Sequence, residues 1–263
     1  MNHFFLIKQF LIYKWKAKSA HGIHSPFVYD FIETVLKDQR HFYAFDEIKK
    51  IRTQLNKDQT LLHVEDFGAG SLHGSTSNRI VKDIARNAGR NEKFGKLLFR
   101  MVDKYQMKQI LELGTSLGIG TSYLASAALD GQITTIEGSE EIANYAGKTF
   151  SSLSLKNIKQ VRGNFDEILP QILQSKKHFD LIFIDGNHRE EPTLNYFNLI
   201  LSSRNDSEMI LIFDDIHWSR GMQNAWNQIK NDQRVLLTID LFFFGIVFFR
   251  KEFKEKQNFI LKF

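Results

Sequence analysis

Two apolar runs in this chain end in acids. Phe179-Asp-Leu-Ile-Phe-Ile leads into Asp185, followed by Gly186, Asn187 and His188, and Met209-Ile-Leu-Ile-Phe leads into Asp214 and Asp215, followed by Ile216 and His217. Each run reads as a buried strand. Ligands of open α/β sheets bind outside the carboxyl ends of such strands, so the three carboxylates are expected to converge. Like charges at close range repel unless a cation sits among them. Oxygen ligands with room for water suit Mg²⁺ or another hard divalent cation, which makes Asp185, Asp214 and Asp215 the expected metal ligands. His188 is of the residue type that serves as a general base near neutral pH; its plainer role is to cap a helix or bond a carbonyl. His217 is a further candidate, supporting a ligand or binding substrate. In the metal-free alternative the same carboxylates bind a polar substrate directly.

A second stretch, Gln109-Ile-Leu-Glu112-Leu-Gly114-Thr-Ser116-Leu-Gly118-Ile-Gly120, is a strand, a glycine loop and the start of a helix. Its spacing differs from the G-x-G-x-x-G of dinucleotide sites. An acid before the loop suits a cofactor carrying an ammonium group and opposes a pyrophosphate. Gln132-Ile-Thr-Thr-Ile ends in Glu137, 25 residues after Glu112. That is near the position where such folds hold a ribose with an acid, although Glu137 also precedes a helix start, where acids are ordinary. A competing loop follows Leu61-Leu-His-Val-Glu-Asp66, with Gly68, Gly70 and Gly74. Only polar, helix-like sequence is expected after it, with no acid-tipped strand, so the loop at 114 is preferred.

These residues need a framework of alternating strands and helices. Strands are expected at Gln109–Leu113, Gln132–Ile136, Ile158–Arg162, Phe179–Asp185, Met209–Asp214, Val235–Asp240 and Gly245–Arg250, with helices in the gaps as far as Asp240. Leu241–Phe244 is too short for a helix, so the last two strands must be antiparallel. The expected fold is α/β, Rossmann-like, with a seven-stranded mostly parallel sheet, an antiparallel last strand and a helical N-terminal extension. Residues 1–90 form that extension and 91–263 the main domain. The phenylalanine-rich Leu241–Phe249 is either a buried hairpin or the face of a homodimer.

The 263 residues are 43% hydrophobic and 25% charged, which is ordinary for a globular chain. With no cysteine there is no disulfide framework and no thiolate chemistry, in keeping with a cytoplasmic location. A net charge of +5 permits anionic partners and demands none. The apolar stretch from His3 to Lys16 is broken by Lys8 and Lys14, is too short to span a bilayer and lacks a cleavage site. It reads as an amphipathic helix packed on its own domain, with a membrane-surface helix as the sharper alternative. No basic run interleaved with aromatics marks a nucleic-acid platform.

The pattern E-x-G-x-S-x-G from Glu112 resembles the first motif of class I S-adenosylmethionine-dependent methyltransferases, with Ser116 at the middle glycine. The acids at Asp185 and Asp214 resemble those of the catechol and caffeoyl-CoA O-methyltransferases, and D-G-x-H with D-D-x-H resembles the bacterial methyltransferases of family 24 type. The resemblance covers about residues 95–250. It implies S-adenosylmethionine as cofactor, with Glu112, Gly114, Ser116 and Gly118 around the methionyl part, Glu137 on the ribose, Gly138 near the adenosine and Asn164 on the adenine. Asp185, at the end of the fourth strand, faces the same cofactor crevice. It also implies a divalent metal on Asp185, Asp214 and Asp215. Asp215 replaces the family's Asn, and His188 stands where those enzymes carry a lysine base. The implied activity is O-methylation of a small hydroxylated molecule or sugar, since the N/D-P-P-Y/F element of base N-methyltransferases is missing. Rival readings are a nicotinamide-dependent oxidoreductase and a non-catalytic membrane-surface or binding protein.

Overall fold

The computed structural model describes residues 3–66, 75–88, 92–175, 178–204 and 208–263. The first third contains α1 (His3–Lys16), α2 (Pro26–Phe31), α3 (Tyr43–Leu55), β1 (Leu61–Asp66), β2 (Ser75–Ile80), α4 (Val81–Ala88) and α5 (Glu92–Tyr105). Then come β3 (Gln109–Leu113), α6 (Ile119–Ala127), β4 (Gln132–Glu137), α7 (Glu140–Ser152), β5 (Ile158–Arg162) and α8 (Phe165–Gln174). The remainder holds β6 (Leu181–Ile184), α9 (Glu190–Ser203), β7 (Met209–Phe213), α10 (Arg220–Asn231), β8 (Leu237–Asp240), β9 (Gly245–Phe249) and β10 (Gln257–Ile260). The chain divides into two compact units, one of residues 34–168 and one that joins residues 1–33 to 169–263.

In the 34–168 unit, β3, β4 and β5 run parallel, with Gln109 opposite Gln132 and Ile133 opposite Ile158. Ile110, Leu111 and Leu113 are fully buried, as expected for a parallel strand covered on both faces. The unit also holds an antiparallel ribbon of β1 and β2, with Leu61 opposite Ile80 and Asp66 opposite Ser75. This corrects the helix-like expectation for the sequence after Gly70. Ser75-Thr-Ser-Asn-Arg has no apolar alternation, and its strand character comes from the partner strand. The competing glycine loop itself, residues 67–74, lies outside the described residues. Leu62 and Val64 pack with Val81, Ile84, Leu117 and Ile142. A second cluster of Phe45, Ile48, Phe99 and Tyr123 joins α3, α5 and α6.

In the other unit the strand order is β10, β8, β9, β7, β6. β9 is antiparallel to both β7 and β8, while β6 with β7 and β10 with β8 are parallel. The antiparallel strand expected from the short Leu241–Phe244 link is therefore present. Three parallel strands in one unit and five strands in the other exceed the expected seven by one. The extra strand is β10, four residues that are only partly buried and carry no apolar run in the sequence. Leu241, Phe242, Phe244, Phe248 and Phe249 are all buried within the chain, which decides for a buried hairpin and against an exposed face.

Helix α1 belongs to this second unit. The Tyr13 hydroxyl donates to the Leu261 carbonyl at 2.6 Å, and burial pushes its pKa up to about 12. Tyr13, Phe10 and Phe242 pack ring on ring, with centroids 5.0 to 6.2 Å apart.

Candidate active site

The residues singled out by sequence fall in both units. In the 34–168 unit β3 delivers Glu112 to the base of the glycine loop. It is 1% exposed, and one carboxylate oxygen accepts from Thr121 Oγ1 at 2.5 Å and Thr135 Oγ1 at 2.7 Å. Desolvation raises the Glu112 pKa to about 7, the Glu137 charge adds to the rise, and the two threonine hydroxyls oppose it. Thr121 and Thr135 were not expected; isolated threonines carry no sequence signal for a role that depends on a partner 9 and 23 positions away.

The loop is held by its backbone. Gly114 and Thr115 N–H groups donate to the Ile136 carbonyl, and Gly118 N–H to that of Thr115. Gly114 (φ 105°) and Gly118 (φ 82°) need glycine's freedom. Ser116 adopts φ 48° where the resembling motif has its middle glycine, a left-handed conformation costing a side chain roughly 1 kcal/mol. A Cβ at Gly118 would lie 2.5 Å from Phe150 Cε1. Gly118→Ala is therefore expected to destabilise the protein by about 2 kcal/mol, through strain plus overpacking. Denaturant unfolding checks this, and a cost under about 0.5 kcal/mol refutes it.

Glu137 closes the arrangement. Its carboxylate accepts from the Ser116 N–H at 2.9 Å and the Ser139 N–H at 3.0 Å, so it ties the loop to the start of α7. Gly138 is half-buried beside it. Gly163 N–H donates to the Glu137 carbonyl, which brings the turn after β5 to the same place. There Asn164 Oδ1 accepts from Asp166 N–H at 3.1 Å and caps α8. The structure thus gathers Gly114, Ser116, Gly118, Glu137, Gly138 and Asn164 around one loop, with Glu112 beneath it. The Glu137 carboxylate at the loop, with Glu112 buried beneath it, fits a cationic cofactor and would repel a pyrophosphate.

In the other unit, Asp185 follows β6 and Asp214 and Asp215 follow β7. One ligand atom each from Asp185, His188 and Asp214 lie within 4.8 Å of one another. His188 Nε2 is 3.6 Å from Asp185 Oδ1 and 4.0 Å from Asp215 Oδ2. Two carboxylates and an imidazole form a donor set that fits a divalent cation. His188 takes a place in this trio that the sequence assigned to Asp215. Asp214 and Asp215 are buried, and Asp215 N–H donates to Asp214 Oδ1 at 2.8 Å. Asp215 has φ 58° and Asn187 φ 52°, a conformation that Asn and Asp tolerate best after Gly. The position thus accepts either the family's Asn or this chain's Asp. Asn187 also donates to the Tyr196 hydroxyl at 2.9 Å and accepts from Arg189 Nε, which fixes the turn carrying His188.

His217 lies outside the trio. Its Nε2 is 2.8 Å from Asp240 Oδ2, and its ring stacks on Phe242 with centroids 5.4 Å apart. Asp240 also accepts from Trp226 Nε1 at 3.3 Å and from the Phe242 N–H at 2.8 Å. Sequence reasoning passed over Asp240 because it reads as the ordinary end of a strand.

Residues 111–216 match the family model described as a methyltransferase domain, of family 24 type. The chain is 36% identical over 110 residues to a catechol O-methyltransferase of Niastella koreensis, covering 41% of this chain and 49% of that protein. It spans half or less of the length of the curated relatives it matches. An S-adenosylhomocysteine-bound methyltransferase from Podospora anserina superposes with a TM-score of 0.60 at 14% identity, covering 87% of this chain and 98% of that one. An O-methyltransferase from Bacillus cereus in complex with S-adenosylhomocysteine gives 0.53 at 19% identity, covering 85% and 97%. These likenesses show the fold: α/β, Rossmann-like, with a mostly parallel sheet. Residues 111–216 are thus similar to a methyltransferase domain.

Proposed function

We propose that this protein transfers a methyl group from S-adenosylmethionine to a hydroxyl of a small molecule or sugar. The observation that carries the reading is the glycine loop flanked by Glu112 and Glu137. It offers a cationic cofactor the Glu137 carboxylate above an acidic floor at Glu112 and gives a pyrophosphate no cation, which weighs against nicotinamide chemistry. Glu137 is proposed to hold the ribose hydroxyls, and Asn164 the adenine. The sulfonium is already activated, so the protein's share of catalysis is alignment and removal of the acceptor's proton.

In this reading the Asp185, His188 and Asp214 cluster receives the acceptor hydroxyl. His188 takes its proton, and Asp185 orients the imidazole. The same cluster, with Asp215 at its edge, would hold a divalent cation, which when bound would neutralise the carboxylates and acidify the hydroxyl. Residues 91–263 are proposed as the catalytic part and residues 1–90 as its N-terminal extension.

Isothermal titration with S-adenosylhomocysteine, with Mg²⁺ and after EDTA, tests this reading. Binding with a dissociation constant on the order of micromolar is expected, corresponding to about −8 kcal/mol. No heat under either condition, with heat on titrating NAD, would overturn it. A His188→Gln variant separates the two roles of the histidine. Unchanged metal binding with an altered pH–rate profile marks the base; weakened metal binding marks a ligand.

A further inference from the structure

Helix α1 presents two apolar faces. Leu6, Tyr13 and Ala17 pack inward with Phe242, Phe243 and Ile260. On the opposite side, at about 100° per residue, Phe4, Ile7, Leu11 and Trp15 fall within an arc of roughly 80°. They remain 77%, 60%, 63% and 84% exposed. Lys8 and Lys14 lie about 20° beyond either edge of that stripe, and Lys16 closes the helix. All three lysines are exposed, and the 14-residue helix contains no acid. Packing within the fold accounts for the inward face and leaves the outward one without a role. Scattered surface hydrophobics are ordinary, but a continuous stripe rimmed by charge of one sign marks an interaction site.

We propose that this stripe docks the protein on an anionic phospholipid surface. Charge complementarity selects the occupant. A second copy pairing through the same stripe would set three lysines against three lysines with no carboxylate on the helix to answer them. An anionic bilayer supplies apolar depth for Phe4, Ile7, Leu11 and Trp15, and phosphate and carboxylate groups for the lysines, whose stems extend along the apolar surface. The helix is about 21 Å long against a hydrocarbon core of about 30 Å, so it lies in the interface. Among the described residues no helix is long and apolar enough to cross a membrane.

Co-sedimentation of the full chain with phosphatidylcholine vesicles, and with vesicles that also contain phosphatidylserine, tests the proposal and requires no methyltransferase activity. Binding is expected on the phosphatidylserine vesicles, weakened by salt. It should fall by about tenfold or more in the double substitution Leu11→Glu with Trp15→Glu, and comparably in Lys8→Glu with Lys14→Glu. All four side chains are exposed, so thermal unfolding should be unchanged; the salt titration of the unaltered chain stands independently of any variant. The proposal is overturned by absence of binding to phosphatidylserine vesicles, or by binding that survives both double substitutions. It is equally overturned by a dimer in light scattering that Leu11→Glu with Trp15→Glu dissociates, which would assign the stripe to a second copy.

Discussion

Alanine at Asp185 is expected to lower methyl transfer by about 10³-fold, within the range that proton transfer by a positioned side chain contributes. Asp185 Oδ1 stands 3.6 Å from His188 Nε2, and its side chain is 27% exposed, so it serves the cluster more than the core. Its loss removes the group that orients the imidazole and one of the three donors that fit a cation. Binding of S-adenosylhomocysteine should stay within about threefold, because the groups proposed for its methionyl, ribose and adenine parts belong to the 34–168 unit and Asp185 is expected only to border the crevice; a threefold change is about 0.7 kcal/mol. Asp185→Asn keeps the shape without the charge and should fall nearly as far if charge is what matters. Steady-state turnover with catechol as the test acceptor, alongside calorimetric binding, is the measurement. Turnover within threefold of the unaltered protein would remove Asp185 from the mechanism.

The second large effect concerns stability against pH. Folding moves Glu112 from an ordinary 4.5 to about 7, because its charge is buried beneath the loop and faces that of Glu137. The folded protein therefore holds a proton that the unfolded chain releases between those two values. The cost of ionising Glu112 in the fold is absent below about pH 4.5, grows as pH rises, and is complete above about 7. At about 1.36 kcal/mol per pH unit it amounts to roughly 3 kcal/mol. Glu112→Gln should abolish this component. Its unfolding free energy should fall between pH 5 and pH 8 by roughly 3 kcal/mol less than that of the unaltered protein, or about 5–10 °C in Tm. Other titrating groups affect both proteins alike, so the difference isolates Glu112. Parallel stability curves for the two proteins would show that Glu112 ionises freely in the fold.

Some of this was legible in the sequence because it depends on local pattern. Buried parallel strands need unbroken apolar runs, so β3, β6 and β7 announced themselves, and the acids at their ends followed from the rule that such sheets bind ligands there. Four residues between the last two expected strands left no geometry but an antiparallel pair. The strands β2 and β10 were not legible, since their residues carry no apolar alternation and owe their conformation to a partner distant in sequence.

The candidate site divides along the same line. Residue type and spacing determined Glu112, the glycine loop, Glu137 and the acids at 185, 214 and 215. The tertiary structure alone decided their relations. It set Glu112 under Thr121 and Thr135, turned Glu137 onto the loop's own amides, brought His188 in place of Asp215 into the trio, and drew His217 away to Asp240 and Phe242. Each of these is a choice of hydrogen-bond or charge partner made in the folded state, several of them between groups 20 or more residues apart. A partner is selected by distance and desolvation in the folded state, and neither is a property of a residue's neighbours in sequence.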